Sequence, residues 1–142
     1  MPIIAFADKH GAQNIREQYG HDDELGIAVN ENAFQTAEAN ALVLLFDNRN
    51  LAELLLHFYN NAGTNSFDYQ ILGHALEIDV PPTLTEPMTS GWEELVAPTG
   101  VANNATDKQV ITEDWAWIAV RLRRTTSGQD SIANVYSRGR KG

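Results

Sequence analysis

The sequence predicts an all-β protein: an antiparallel β-sandwich, jelly-roll-like, that forms a single domain behind an extended N-terminal arm. From residue 42 to residue 138 the chain is a series of short apolar or alternating runs separated by clusters of turn-forming residues. About seven short strands at this spacing are typical of sandwiches and jelly rolls. The clearest run, residues 115–124, alternates with a period of two, as the side chains of a strand do.

Length and composition favour one domain. The chain has 142 residues, of which 43% are hydrophobic and 20% are charged, and a chain of this length buries a sufficient core without disulfides. It has no cysteine, no apolar run near the roughly 20 residues that span a bilayer, and no signal-peptide pattern. We place the arm at residues 1–32, which are polar, and the sandwich at residues 33–142. The arm either becomes ordered against a partner or is a disordered tail.

The first strands are predicted between residues 34 and 59. Residues 34–37 read as a short edge strand, and the apolar residues 41–46 read as a buried strand that ends at a polar turn. Residues 51–59 fit two interpretations. As a strand, they turn Leu54, Leu56 and Phe58 inward; as a helix, they form a stripe of apolar residues three and four apart with Asn50 as the N-cap. We favour the strand, because the alternating residues 66–71 follow it.

Residues 60–65 form an Asn- and Gly-containing turn cluster, and together with the two flanking runs they predict a hairpin. Gly73 marks a bulge or bend. The Pro-containing residues 81–90 read as a loop, because proline cannot donate to a ladder. Further strands are predicted at residues 92–96, 108–112 and 131–137, with a turn at residues 98–100 and a hairpin loop at residues 126–130.

The run 115–124 predicts one apolar face and one aromatic and basic face. Ala116, Ile118, Val120 and Leu122 fall on the first face. The second face carries Trp115, Trp117, Arg121 and Arg123, a composition enriched at protein interfaces. Three interpretations remain open for its tryptophans: a protein interface, core packing beneath the second sheet, or a stacking platform for sugars. The full set of predicted interface residues is Trp115, Trp117, Arg121, Arg123, Tyr59, His57, Ile3, Ile4 and Phe6.

Charge restricts the partners. The formal net charge is −9, with 4 basic and 18 acidic residues before position 121 and 6 basic and 1 acidic residue from there on. An acidic body is a poor partner for nucleic acid, because phosphate binding requires a positive footprint. The basic C-terminal end is either a solvated tail or a surface that meets an acidic protein neighbour, including another copy of the chain.

The residue pattern does not predict catalysis, a metal or a cofactor. The four histidines are scattered, and no Gly-x-Ser-x-Gly elbow or phosphate-binding loop occurs. The acidic residues 21–24 lack the spacing of a calcium loop. Glu93 and Glu94 are adjacent, so a strand would point them to opposite faces, which does not suit paired-carboxylate hydrolysis. We expect a protein that is not an enzyme.

A sequence of elements in the chain resembles a known protein class. It consists of a Tyr-Asn-Asn-x-Gly-Thr loop at residues 59–64, an aromatic-Asp-Tyr-x-Ile strand, the bend at Gly73, Gly-Trp-x-x-Leu at residues 91–95, the aromatic and basic strand and a Thr-Ser-Gly turn. In this order they resemble the head decoration, or cementing, proteins of tailed bacteriophages over residues 42–138. The insertion at residues 81–90 and the acidic arm depart from that pattern.

This resemblance implies a virion protein that is made in the host cytoplasm and binds the outside of a capsid shell. It also implies contact with a major capsid protein, self-association as a trimer, and an arm that reaches a neighbouring subunit. Two other functions fit the same fold: a carbohydrate-binding or adhesion module, and a subunit of an appendage or fibre.

Overall fold

The described chain is built from β-strands. A computed structural model describes residues 3–5, 25–36, 40–61, 65–80, 82–84 and 91–141, with the backbone alone described at residues 3–5, 25 and 141. Within these ranges there is no helix. The strands are β1 (Ile3–Ala5), β2 (Leu25–Val29), β3 (Val43–Asp47), β4 (Leu51–Asn60), β5 (Phe67–His74), β6 (Glu93–Val101), β7 (Thr106–Ile111), β8 (Trp117–Arg124) and β9 (Ser131–Lys141).

The strands form two sheets with the topology of a jelly roll. The five-stranded sheet has the order β1-β3-β8-β5-β6, and the four-stranded sheet has the order β2-β9-β4-β7. Four antiparallel pairs are nested within one another, as in a long hairpin that is rolled into two layers. These pairs are β2 with β9, β3 with β8, β4 with β7, and β5 with β6. Strand β1 adds a parallel edge beside β3. The predicted antiparallel sandwich of the jelly-roll type is confirmed.

The space between the sheets is filled by alternate side chains of both. Strand β4 points Leu54, Leu56 and Phe58 inward, each fully buried, so the strand interpretation of residues 51–59 is confirmed. From the other sheet, β5 contributes Tyr69, whose ring stacks on Phe58 with centroids 3.9 Å apart. This inter-sheet core buries side chains from both sheets, and at about 25 cal/mol per Å² of apolar surface it is the main source of stability.

A second core lies on the opposite face of the five-stranded sheet. Its members, the outer core, are Val43, Leu45, Leu72, Leu84, Trp92, Ala116, Trp117 and Ala119. Residues 75–80 and 82–84, here called the cover segment, contribute Leu84 and lie over this face. The continuous apolar run of β3 follows from this arrangement, since Leu44 and Phe46 face the inter-sheet core while Val43 and Leu45 face the outer core.

Two predicted hairpins are wrong. Strands β4 and β5 lie in different sheets, and so do β8 and β9, although a turn cluster joins each pair. Among consecutive described strands, only β5 and β6 pair with each other. The turn chemistry predicted a chain reversal correctly, but a reversal that crosses between the two layers has the same local composition as one within a sheet.

Three boundaries are also corrected. Strand β2 falls inside the predicted arm, yet its Ile27 and Val29 are buried in the inter-sheet core; residues 6–24 of the arm lie outside the described residues. Residues 34–36 are not a strand, and residues 98–100 are part of β6 and not a turn. Pro98 is tolerated there because β6 is at the edge of its sheet.

Gly73 is required by a close approach. It lies on the inward face of β5, where a Cβ atom would stand 2.7 Å from the Trp115 ring and 2.9 Å from Leu95. The pairing of β5 with β6 also shifts register between Ile71 and Leu72. The predicted irregularity near Gly73 is therefore present, and the glycine makes room for an indole.

The outer core predicts a large effect for the most deeply packed tryptophan. Trp117 is 2% exposed, so Trp117→Ala should lower the free energy of unfolding by about 3–5 kcal/mol in urea denaturation of the purified chain. Ile132→Ala, at an exposed position of β9, is the control and should change it by less than about 0.5 kcal/mol. Equal small effects would contradict the outer core.

Tyr69 predicts an alkaline loss of stability. Burial, and next the hydrogen bond that its hydroxyl donates to Asp107, raise the pKa of Tyr69 to about 12. Because the folded state favours the neutral phenol, this contribution is present below about pH 10 and is lost as the pH rises towards about 12. Tyr69→Phe removes it, so the stability difference between wild type and variant should shrink across that range. A constant difference would contradict the assignment.

Candidate functional site

The two tryptophans that were predicted to share a face are separated. Strand β8 begins at Trp117, and Trp115 lies before it. Trp115 packs against the inter-sheet core, whereas Trp117 is a member of the outer core. The shared face is therefore wrong for this pair, and Trp117 takes the core-packing role that the sequence left open. Trp115 and Trp117 therefore do not form the shared platform that the sugar-binding alternative required.

Arg121 and Arg123 lie on the outer face of the five-stranded sheet, where both form hydrogen bonds and ring contacts with other residues of the same chain. The Oε1 atom of Gln70 accepts from Nε and Nη2 of Arg121 at 3.0 and 2.7 Å, and Gln70 donates to Glu94 at 2.6 Å. Asp68 accepts from Arg123 at 3.0 Å. The Phe34 ring covers both guanidinium groups, 5.2 Å from Arg121 and 4.3 Å from Arg123.

The cover segment is held to the same face by polar contacts. The indole of Trp117 donates to the Ile78 carbonyl at 3.1 Å, and the indole of Trp92 donates to the Thr83 carbonyl at 3.1 Å. Asp79 pairs with Arg49 at 2.8 Å. The outer face of the five-stranded sheet is thus closed by the chain's own residues, leaving a short polar strip around Arg123.

The outer face of the four-stranded sheet is different, because side chains from β4, β7 and β9 stand on it uncovered. We call this surface the open face. It carries two predicted residues, His57 and Tyr59, both half-buried. The His57 ring lies 5.7 Å from that of Tyr136 at an angle of 58°. The open face consists of Ala28, Glu53, Leu55, His57, Tyr59, Thr106, Lys108, Val110, Ile132, Asn134, Tyr136, Arg138 and Arg140.

Rows of paired residues set the chemistry of the open face. Leu55 stands between Val110 and Arg138, and the next row places His57 between Lys108 and Tyr136. Val110, Ile132 and Tyr136 are 46%, 42% and 38% exposed. The two rows mix apolar and aromatic side chains with the cations Lys108 and Arg138, a composition found at protein-binding surfaces.

The remaining predicted interface residues are at the N-terminus. Ile3 and Ile4 pair through their backbones with Leu45 and Phe46 as part of β1. Phe6 lies outside the described residues. Tyr59 and His57 are on one side of the sandwich and Arg121 and Arg123 are on the other, so the predicted residues do not form one surface.

Sequence reasoning missed the exposed apolar residues of the open face. It assigned Ile132 and Tyr136 to the last strand without predicting which face they occupy. The sequence pattern does contain this information. Ile132, Tyr136, Arg138 and Arg140 are all at even-numbered positions, so a strand that continues to residue 140 places all four side chains on one face. The prediction ended the strand at residue 137 and lost that connection.

The described residues contain no cluster of three or more His, Asp or Glu side chains arranged to hold a metal. No helix among them is long and apolar enough to cross a membrane.

The hydrogen bonds between Arg121 and Gln70 predict that substitutions of these two residues have non-additive effects on the free energy of unfolding. Gln70→Leu removes the acceptor of two hydrogen bonds from a buried guanidinium and should cost about 2–3 kcal/mol of unfolding free energy. Adding Arg121→Met should recover part of that loss, because the buried charge is removed with its partner. Urea denaturation of the two single variants and the double variant measures the coupling, and strictly additive losses would contradict it.

No protein-family model and no curated protein matches this sequence.

Proposed function

We propose that this chain is a structural virion protein that binds the outside of a bacteriophage capsid shell and stabilises it. In this role it is not an enzyme and needs no cofactor. It associates with copies of itself, as a trimer, and with the major capsid protein. It is made in the host cytoplasm and resides on the capsid surface.

The observation that carries the proposal is the difference between the two sides of the sandwich. Antiparallel sheets commonly pack one face and leave the other in water, yet here the central strands of the five-stranded sheet are packed on both faces while the four-stranded sheet presents the open face. The open face exposes Val110 and Tyr136 in adjacent rows, beside the half-buried Leu55 and His57, and exposes Ile132 further along β9. Neighbouring apolar and aromatic side chains on an exposed face mark an interaction site.

The fold supports the same proposal by analogy. Jelly rolls occur in viral capsid proteins and also in lectins and cupins, so the fold alone does not choose among them. The absence of a metal-binding cluster among the described residues gives no support to a cupin-like metal site. The buried Trp117 and the tilted rings of His57 and Tyr136 give little support to a stacking platform for sugars.

The mechanism is the addition of contact area to an assembled shell. A protein that binds only the assembled state stabilises that state by mass action, to an extent set by its concentration relative to its dissociation constant. A rigid sandwich suits this task, because little conformational freedom is lost at the contact when the surface is already formed.

Binding to shells tests the proposal directly. Empty shells assembled from the major capsid protein of the genome that encodes this chain are sedimented with increasing amounts of the purified chain. We expect saturable co-sedimentation and a higher temperature of shell disruption in scanning calorimetry.

The matched variant is Tyr136→Glu, which places a negative charge in these rows of the open face. It should keep the far-UV spectrum and urea midpoint of the wild type, because Tyr136 is exposed. Its affinity for shells or for other copies should fall by at least about tenfold. Shells that sediment without the wild-type chain would contradict the proposed function.

A further inference from the structure

The exposed large apolar side chains of the described chain fall on two opposite sides of the sandwich. Val110, Ile132 and Tyr136 belong to the open face. Leu76 and Val80 belong to the cover segment and are 51% and 65% exposed. The cover segment lies over the outer core, on the far side of the five-stranded sheet. Each side therefore has an apolar surface that the monomer leaves in water.

The exposed charges on these two sides are opposite in sign. The open face carries Lys108, Arg138 and Arg140 against the single carboxylate of Glu53. On the covered side the exposed charges are the carboxylates of Glu77, Asp79 and Glu94.

The cations on the covered side do not cancel these carboxylates. Arg49 contacts Asp47 as well as Asp79, and Arg123 pairs with Asp68. Arg121 is 3% exposed. The covered side is therefore acidic at its surface, and the open face is basic within a chain of net charge −9.

We infer that the partner of the open face is the covered side of a second copy of this chain. This inference rests on the proposed self-association and specifies its geometry. Apolar residues then meet apolar residues while Lys108 and Arg138 approach Glu77 and Asp79, an arrangement that favours association and fixes its orientation. Two open faces brought together would oppose cations with cations, which costs free energy.

Such a contact is heterologous, because the two copies use different surfaces. A heterologous contact continues from copy to copy until the rotation closes a ring, or it extends as a filament. A ring of three copies closes only when the two contact surfaces of each copy are steeply inclined to each other. Surfaces on opposite sides of a sandwich instead direct the contact towards an open stack, so this contact departs from the proposed trimer and matches a fibre.

A mixing experiment with two variants tests the inference. The open-face variant carries Lys108→Glu and Arg138→Glu; the cover variant carries Glu77→Lys and Val80→Lys. All four positions are on the surface, and far-UV spectra and urea midpoints confirm that both variants fold. The control is Asp114→Lys, an exposed charge reversal in the loop between β7 and β8.

Analytical ultracentrifugation should show oligomers for the wild type and the control. Each variant alone should self-associate at least about tenfold more weakly. An equal mixture of the two should associate again, because the unchanged open face of one variant meets the unchanged covered side of the other, and the two reversed surfaces are also opposite in sign. Raising the salt concentration should weaken the mixed complex.

The alternatives give different results. A cover variant that still dimerises alone overturns the inference, because its open faces would then bind each other. Two folded variants that stay monomeric when mixed also overturn it. A wild type that is monomeric but co-sediments with shells overturns the heterologous contact and leaves shell binding intact, whereas failure of shell binding alone overturns the function.

Discussion

The central strands β3, β5 and β8 of the five-stranded sheet are buried on both faces, and the rest of the structure depends on that burial. Strand β8 places Ile118, Val120 and Leu122 in the inter-sheet core and Trp117 and Ala119 in the outer core. An antiparallel sheet that exposed the second of these faces would leave an indole and several aliphatic side chains in water. The cover segment removes that surface, and the four-stranded sheet is left as the one with an uncovered face.

Burial of both faces brings polar groups into the interior, where each requires a partner. Arg121 is satisfied in part by Gln70, which is itself held by Glu94. Asn60 donates to the carbonyls of Asn65 and Val101 at 2.7 and 2.9 Å and so joins the end of β4 to the other sheet. These contacts contribute more to orientation than to net stability, since hydrogen bonds replace those that the unfolded chain makes with water.

The asymmetry of the two sides connects the fold to the proposed function. A side closed by the chain's own cover segment is chemically distinct from a side formed by bare strands, and the charges follow the same division. A subunit with two different complementary surfaces is suited to directional assembly, in which every copy repeats the same contact. The jelly roll supplies the rigidity, and the residues that differ between the two sides supply the specificity.

Most of the strands, and the side chains of β4 and β8 that point inward, follow from the residue pattern, whereas strand pairing and the covering of each face depend on contacts made in the folded protein. The period of two in residues 51–59 and 115–124 identified Leu54, Leu56, Phe58 and the inward residues of β8, because side-chain alternation is a local property of extended chain. The chain changes sheets between β4 and β5 and again between β8 and β9. The partner of a strand is set by closure of the whole roll and not by its flanking residues. For the same reason Trp115 and Trp117 occupy different cores and the open face gathers residues from distant strands. Contacts between residues far apart in the sequence decide these features, and a local pattern does not contain them.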